Sequence, residues 1–184
     1  MANLEIMLAG FGGQGILFSG KLVAYSGLFD GRELSWLPSY GPEMRGGTAN
    51  CSVCLSDEAI GSPLVINPDI LVAMNMPSFD KFVEAVKPNG IIIVDSSIAD
   101  ACCMRKDVSF YRIPATQLAE ENGLKGLANV IMVGKLLQLT EFSTLDSLDK
   151  AIEKSVSAKR AEMVGFNKKA LRVGYEYVDQ KECE

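Results

Sequence analysis

The stretch that most constrains this chain is near its start. The apolar run Leu4-Glu5-Ile6-Met7-Leu8-Ala9 passes into Gly10-Phe11-Gly12-Gly13-Gln14-Gly15, and Ile16 to Leu28 then reads as a helix. A strand that enters a helix through a glycine turn is the opening unit of a layered α/β fold. Gly20, Ala24 and Gly27 put small residues on adjoining turns of that helix, which lets it pack closely on a sheet. Further strands are expected at 34–37, 48–56, 70–74, 91–94 and 108–113. The continuous apolar runs among them suit strands covered on both faces. Helices are expected over 78–86, from Pro114 toward Glu121, over 127–139, from Leu145 to Val156 behind a Ser143-Thr144 cap, and from about 158 to 178. Strands alternate with helices, and helices finish the chain. The fold class is α/β, a three-layer α/β/α sandwich on a mostly parallel sheet with a helical C-terminal segment. At 184 residues, with no repeat or linker, residues 1–184 read as a single domain.

Composition removes several functions. Hydrophobic residues at 48% and charged residues at 22% exclude a disordered chain. The net charge is −5, and residues 1–100 hold 11 acids against 5 bases, so no nucleic-acid partner is expected. There is no histidine, which excludes Ser-His-Asp and Cys-His catalysis and removes the commonest metal ligand. No apolar run approaches the length of a membrane span, and the N-terminus carries Glu5 rather than a basic segment. A cytoplasmic protein is expected, and the five cysteines read as reduced thiols.

Four groups of residues are candidates for chemistry. The first is the Gly10–Gly15 loop, where Gly12, Gly13, Gln14 and Gly15 offer backbone N–H groups to an anion at a helix start. A dinucleotide would also need an acid about 20 residues on, at the end of the second strand. Ser35-Trp36-Leu37 stands there instead, with Asp30 and Glu33 too early, which counts against NAD(P). A turn that only packs helix on strand, and a phosphate-bearing ligand, both remain open. The second is the loop Ser39–Gly47, in which Tyr40 gives a flat ring with a polar tip, Arg45 a planar fork for carboxylate or phosphate, and Gly46 and Gly47 close backbone approach. Its bland alternative is a Glu43–Arg45 surface pair on a turn. The third is Cys51-Ser52-Val53-Cys54, whose sulfurs should point to opposite faces of a strand and so be buried and inert. With Cys102-Cys103 adjacent and Cys183 terminal, no metal or iron–sulfur site is expected on this chain. The fourth is the polar strand ends, Asn75 and Asp95-Ser96-Ser97, on the rim where ligands of open α/β sheets bind. Ordinary turn and cap chemistry is the alternative there, and Asn129, at the head of an apolar helix, reads as a cap or a ligand contact.

The motifs Gly10-Phe11-Gly12-Gly13-Gln14-Gly15, Ser39-Tyr40-Gly41-Pro42-Glu43-Met44-Arg45-Gly46-Gly47-Thr48-Ala49 and Ala73-Met74-Asn75, with Asp95 and Gly126-Leu127-Ala128-Asn129, carry a resemblance. The chain resembles the gamma subunits of 2-oxoacid:ferredoxin oxidoreductases, most of all the 2-oxoglutarate and branched-chain members. The resemblance implies a Rossmann-like domain inside a multi-subunit enzyme that decarboxylates a 2-oxoacid oxidatively to an acyl-CoA and reduces ferredoxin. It implies thiamine diphosphate and iron–sulfur clusters on partner chains, the alpha and beta subunits and a delta subunit where one exists, with no cofactor on this chain alone. Coenzyme A, as substrate, would meet this chain through Gly12, Gly13, Gln14, Gly15, Tyr40, Arg45, Gly46, Gly47, Asn75 and Ser96. The same residues would otherwise pin a neighbouring subunit. A free-standing NAD(P) dehydrogenase and a purely structural bridge are the other readings.

Overall fold

A computed structural model describes residues 3–39 and 48–178. The described elements run β1 (Leu4–Phe11), α1 (Ile16–Phe29), β2 (Glu33–Ser39), β3 (Thr48–Ser56), β4 (Ile70–Ala73), α2 (Met76–Phe82), β5 (Ile91–Asp95), β6 (Ser109–Ile113), α3 (Ala115–Glu121), α4 (Ala128–Thr140), α5 (Leu145–Ser155) and α6 (Met163–Glu176). All six expected strands and all six helices form, with shifted ends. The second helix starts at Met76, before its proline, because Asn75 caps it: Ser78 N donates to Asn75 Oδ1 at 2.8 Å. It tightens into a 3₁₀ turn at Val83–Ala85. The final helix starts only at Met163, after a separate 3₁₀ turn at Ala158–Arg160.

The strands form one sheet in the order β2-β3-β1-β4-β5-β6. β1, β4, β5 and β6 are mutually parallel, and β3 is antiparallel to both of its neighbours. β2 therefore runs parallel to β1 without touching it, because β3 fills the place between them. This is where the sheet departs from a dinucleotide-binding sheet. There the second strand lies beside the first and offers its acid to the ribose. Here the end of β2 is two strand spacings away, roughly 10 Å. Asp30, just before β2, is engaged elsewhere, accepting bonds from Ser143 and Ser147 Oγ at 2.5 Å each. Among the described residues, no acid stands at the end of β2 for the NAD(P) reading to rest on.

The three layers are unequal. One face carries the large core, in which Ile6, Leu8, Val53, Ile93 and Ile113 of the sheet meet Leu22, Val130, Val133, Leu148 and Leu171 of the helices. The other face carries a smaller cluster around Leu71, Ile92, Phe79 and Val94, with Phe79 edge-on to Phe110 at 6.0 Å. α1 fits tightly on the sheet where the small residues were expected to allow it: a Cβ on Gly20 would strike Cys51 Sγ, and one on Gly27 would meet Leu55 Cδ2 at 2.5 Å. α4 and α6 cross with backbones in contact. A Cβ on Gly134 would strike the Leu171 carbonyl, and one on Gly174 the Ile131 carbonyl. Near the end of the crossing, buried Lys135 reaches the Tyr177 carbonyl at 3.2 Å, with its ammonium 5.4 Å from the Tyr177 ring centre. No described helix is long and apolar enough to cross a membrane.

Candidate ligand site at the glycine loop

The carboxyl ends of β1, β4 and β5 lie side by side on one rim of the sheet, and that rim is where the candidate residues gather. β1 runs out at Phe11, and the chain reverses into α1 through Gly13 (φ +98°) and Gly15 (φ +78°). These left-handed values favour glycine. Gly12 and Gly13 are exposed. Gln14 is the buckle of the loop. Its Oε1 accepts from Phe11 N at 2.6 Å, and its Nε2 donates to the Met74 carbonyl at 3.0 Å. Asn75 Nδ2 donates to the same Gln14 oxygen at 3.4 Å. The Gln14 side chain therefore fastens the loop to the end of β4. Asn75 is 2% exposed, so its two amide atoms hold Gln14 and the start of α2.

Behind the loop stands Asn129, 4% exposed, at the head of α4. Its Nδ2 donates to the Gly15 carbonyl at 3.0 Å and to Ser19 Oγ at 3.1 Å, and Ser19 Oγ reaches the Asn129 carbonyl at 3.1 Å. A Cβ on Gly15 would meet Asn129 Nδ2 at 2.5 Å, so a glycine is needed for contact as well as for turn. α1 then begins with no side-chain cap and no acid in its first turn. Its leading N–H groups and positive dipole end face the rim, which is a polarity suited to an anion.

Ser96 sits half-buried one strand beyond β4, with its N–H donating to the Ile113 carbonyl at 3.0 Å. Asp95 is fully buried and accepts from Thr116 Oγ1 at 2.6 Å and Thr116 N at 3.2 Å, which ties β5 to α3. Tyr40, Arg45, Gly46 and Gly47 lie outside the described residues, as does Glu43. Their flanks are described: Ser39 ends β2, and Thr48 opens β3 paired with Phe11 on this same rim.

The two cysteines of β3 diverge as the strand period requires. Cys51 faces α1, with its Sγ 3.5 Å from the Ile16 carbonyl, and burial pushes its thiol up to about 12. Cys54, also buried, faces the other side beside Ser35, and desolvation raises its thiol too. Neither offers a thiolate near neutral pH. Among the described residues, no three His, Cys, Asp or Glu side chains gather to hold a metal.

Sequence reasoning did not single out the residues facing this loop from the α5–α6 connection. Ser155, Arg160 and Asn167 share a cleft with Gly13, Gly15 and Leu127. One signal was available. Asn167 falls on the buried stripe of α6 with Ala170, Leu171 and Gly174, a spacing where a polar residue needs a reason.

The family model for pyruvate ferredoxin/flavodoxin oxidoreductase matches residues 5–177. The chain is 41% identical over 177 residues to 2-oxoglutarate synthase subunit KorC of Methanocaldococcus jannaschii, covering 94% of this chain and 92% of that protein. It is 39% identical over 177 residues to ketoisovalerate oxidoreductase subunit VorA of Methanothermobacter marburgensis, covering 95% of this chain. It spans 36% of VorA's length. Among solved structures it is similar to 2-oxoglutarate:ferredoxin oxidoreductase from Magnetococcus marinus with 2-oxoglutarate, coenzyme A and succinyl-CoA bound. The TM-score is 0.84 at 26% identity, covering 95% of this chain and 30% of that one.

Proposed function

The chain belongs to the pyruvate ferredoxin/flavodoxin oxidoreductase family, and on that premise we propose that it is the gamma subunit of a cytoplasmic, multi-subunit 2-oxoacid:ferredoxin oxidoreductase, with 2-oxoglutarate the favoured substrate. The reaction takes a 2-oxoacid and coenzyme A to an acyl-CoA and carbon dioxide and passes the electron pair to ferredoxin. Thiamine diphosphate, on the alpha and beta subunits, supplies the carbanion chemistry. Iron–sulfur clusters on partner chains carry the electrons. This chain is inactive alone. Its part is to hold coenzyme A and to join the assembly.

The observation that carries this reading is the glycine rim. The Gly12–Gly15 backbone and the uncapped start of α1 present N–H groups and positive potential, and Gln14 and Asn129 fix the loop from both sides. A phosphate of coenzyme A suits that polarity. Arg45 is the one arginine of the connection whose flanks stand on this rim, and it supplies the cation. The Magnetococcus relative, solved with coenzyme A bound, supports the ligand class.

The test is purification of the tagged chain from its own cells, read by intact-complex mass spectrometry, followed by coenzyme A titration of wild type and Arg45→Ala. Recovery with a thiamine-dependent subunit and an iron–sulfur subunit is expected. Recovery alone or as a homo-oligomer overturns the subunit reading. Arg45→Ala is expected to lower coenzyme A affinity with the complex intact. Loss of assembly instead would make this chain a structural bridge.

A further inference from the structure

The smaller face of the sheet is closed in part by a strap. Residues 99–107, between β5 and β6, belong to no helix or strand. Among the described residues, 100–106 make no backbone–backbone hydrogen bond. Side chains hold the strap at its ends. At one end Ala99 and Ala101 are buried in the small core. At the other, Arg105 Nη1 donates to the Val83 and Val86 carbonyls at 2.9 and 2.7 Å, and its Nη2 donates to Asp107 at 2.6 Å. Between these fastenings the chain alternates as an extended segment does. Ala101 is buried, Cys102 exposed, Cys103 half-buried against the small core and Met104 exposed. Two free thiols therefore stand side by side in the sequence, one in water and one under the strap. Cys51 and Cys54, by contrast, are both buried in β3. A segment fastened by side chains alone opens locally at low cost, which is the condition for chemistry that needs the second thiol to move.

We propose that Cys102 and Cys103 are a reversible redox modification site, closed into a disulfide by low-molecular-weight disulfides and reopened by thiols. The exposed Cys102 thiolate attacks one sulfur of the incoming disulfide, forms a mixed disulfide and releases the first small thiolate. The Cys103 thiolate then attacks Cys102 Sγ, breaks the mixed bond and releases the second. The two protein thiols lose two electrons, the small disulfide gains them, and the two protons end on the two released thiols. Access sets the order, because Cys102 is exposed and Cys103 is half covered. The second step moves the strap. A disulfide needs its two Cβ atoms about 4 Å apart with both sulfurs between them, whereas neighbours in an extended chain point to opposite faces. Cys103 must therefore leave the small core, and Phe79, Val86 and Val94 of that core lose part of their cover. An exposed bond made against the alternation of the strap is of the labile kind that thiols reduce readily. The site lies on the face of the sheet away from α1 and is independent of the coenzyme A reading.

The test is oxidation of the full chain and of the assembled complex with glutathione disulfide, then alkylation, tryptic digestion and mass spectrometry. The tryptic peptide that ends at Arg105 holds Cys102 and Cys103 and no other cysteine. In wild type it is expected to lose two hydrogens, to carry neither glutathione nor alkyl groups, and to regain both alkylation sites after dithiothreitol. Cys103→Ser is expected to stop at glutathione on Cys102. Cys102→Ser is expected to slow modification of the peptide about tenfold, because Cys103 reacts only when the strap opens. Hydrogen exchange reads the movement without relying on thiol chemistry. The amides of α2 and of the 3₁₀ turn at Val83–Ala85, which Arg105 fastens, are expected to exchange faster in the oxidised wild type and to stay unchanged in glutathione-treated Cys103→Ser. A stable glutathione adduct on wild-type Cys102 overturns the pair as a site, since Cys103 then resolves nothing. Cys102→Ser reacting as fast as wild type overturns the order of attack. A disulfide with unchanged exchange overturns the movement of the strap. Reaction in the full chain and none in the assembled complex puts a partner subunit over Cys102 and overturns the site in the enzyme, and no reaction in either overturns it outright.

Discussion

The α4–α6 crossing and the glycine loop both depend on glycine, for opposite reasons. At the crossing, Gly134 and Gly174 face the backbone carbonyls of Leu171 and Ile131, and the missing side chain lets two helices touch. In the loop, a Cβ on Gly13 would meet nothing within 4 Å, and the glycine serves a φ of +98° and an open approach to the backbone. The first use makes a rigid seam that closes the core. The second keeps a surface bare. The same residue type therefore serves a close-packed seam and an open stretch of surface, and the two respond differently when a methyl group is added.

The largest effect is expected at the seam. Alanine in place of glycine within a helix ordinarily stabilises by about 0.5–1 kcal/mol. Gly174→Ala and Gly134→Ala should reverse that sign and cost about 3 kcal/mol, because the new methyl meets backbone that cannot rotate away. Urea unfolding reads this as a fall in midpoint at constant slope. A gain in stability would mean that the helices do not cross here.

Next comes the seam between α1 and β3, where Cys51 lies against Gly20. Its folded-state thiol is pushed from 9.0 to about 12 by burial. The folded state then holds its proton where the unfolded state has lost it, so stability falls as pH rises. That contribution is whole below pH 9.0 and is lost as pH rises toward about 12. Melting temperature against pH should therefore decline in that window for wild type and decline less for Cys51→Ala. Equal slopes would put Cys51 in contact with water. Gly20→Ala tests the same contact by volume, and it should cost about 2 kcal/mol, less than at the crossing because the obstacles are the side chains of Cys51 and Trp36. Adding Cys51→Ala should recover part of that loss, a coupling that a double-mutant cycle measures.

Much of this was legible in the sequence because it is local. The apolar runs at 70–73 and 91–95, the glycine turn after Ala9 and the small-residue face of α1 are carried by neighbours in the chain. The insertion of β3 between β1 and β2 was not, since strand order is decided by which faces find cover and no residue in 33–56 records it. The site divides the same way. Gly12, Gly13 and Gly15 announce themselves by spacing, whereas the bond that joins Gln14 to Asn75 is not written in either motif. Ser155, Arg160 and Asn167 come to the loop from more than a hundred residues away, through the packing of α5 and α6. Ser155 and Asn167 are found from burial without a partner rather than from a motif.

The smallest effect on stability is expected at Gly13, and it sharpens the comparison from the other side. Gly13→Ala places a methyl in open space, so the cost is limited to the left-handed backbone, about 1 kcal/mol. The exposed loop can relax part of that strain, and the melting temperature should barely move. Ligand affinity should respond more than stability does, because the methyl stands on the wall shared by the glycine rim and the cleft. Titration with coenzyme A beside a thermal melt checks both numbers in one variant. If affinity is unchanged while stability drops by several kcal/mol, the loop is a structural turn like the seam, and the distinction between the two uses of glycine disappears. Gly15→Ala is the internal control. There the methyl meets Asn129 as well as a φ of +78°, so stability and affinity should fall together.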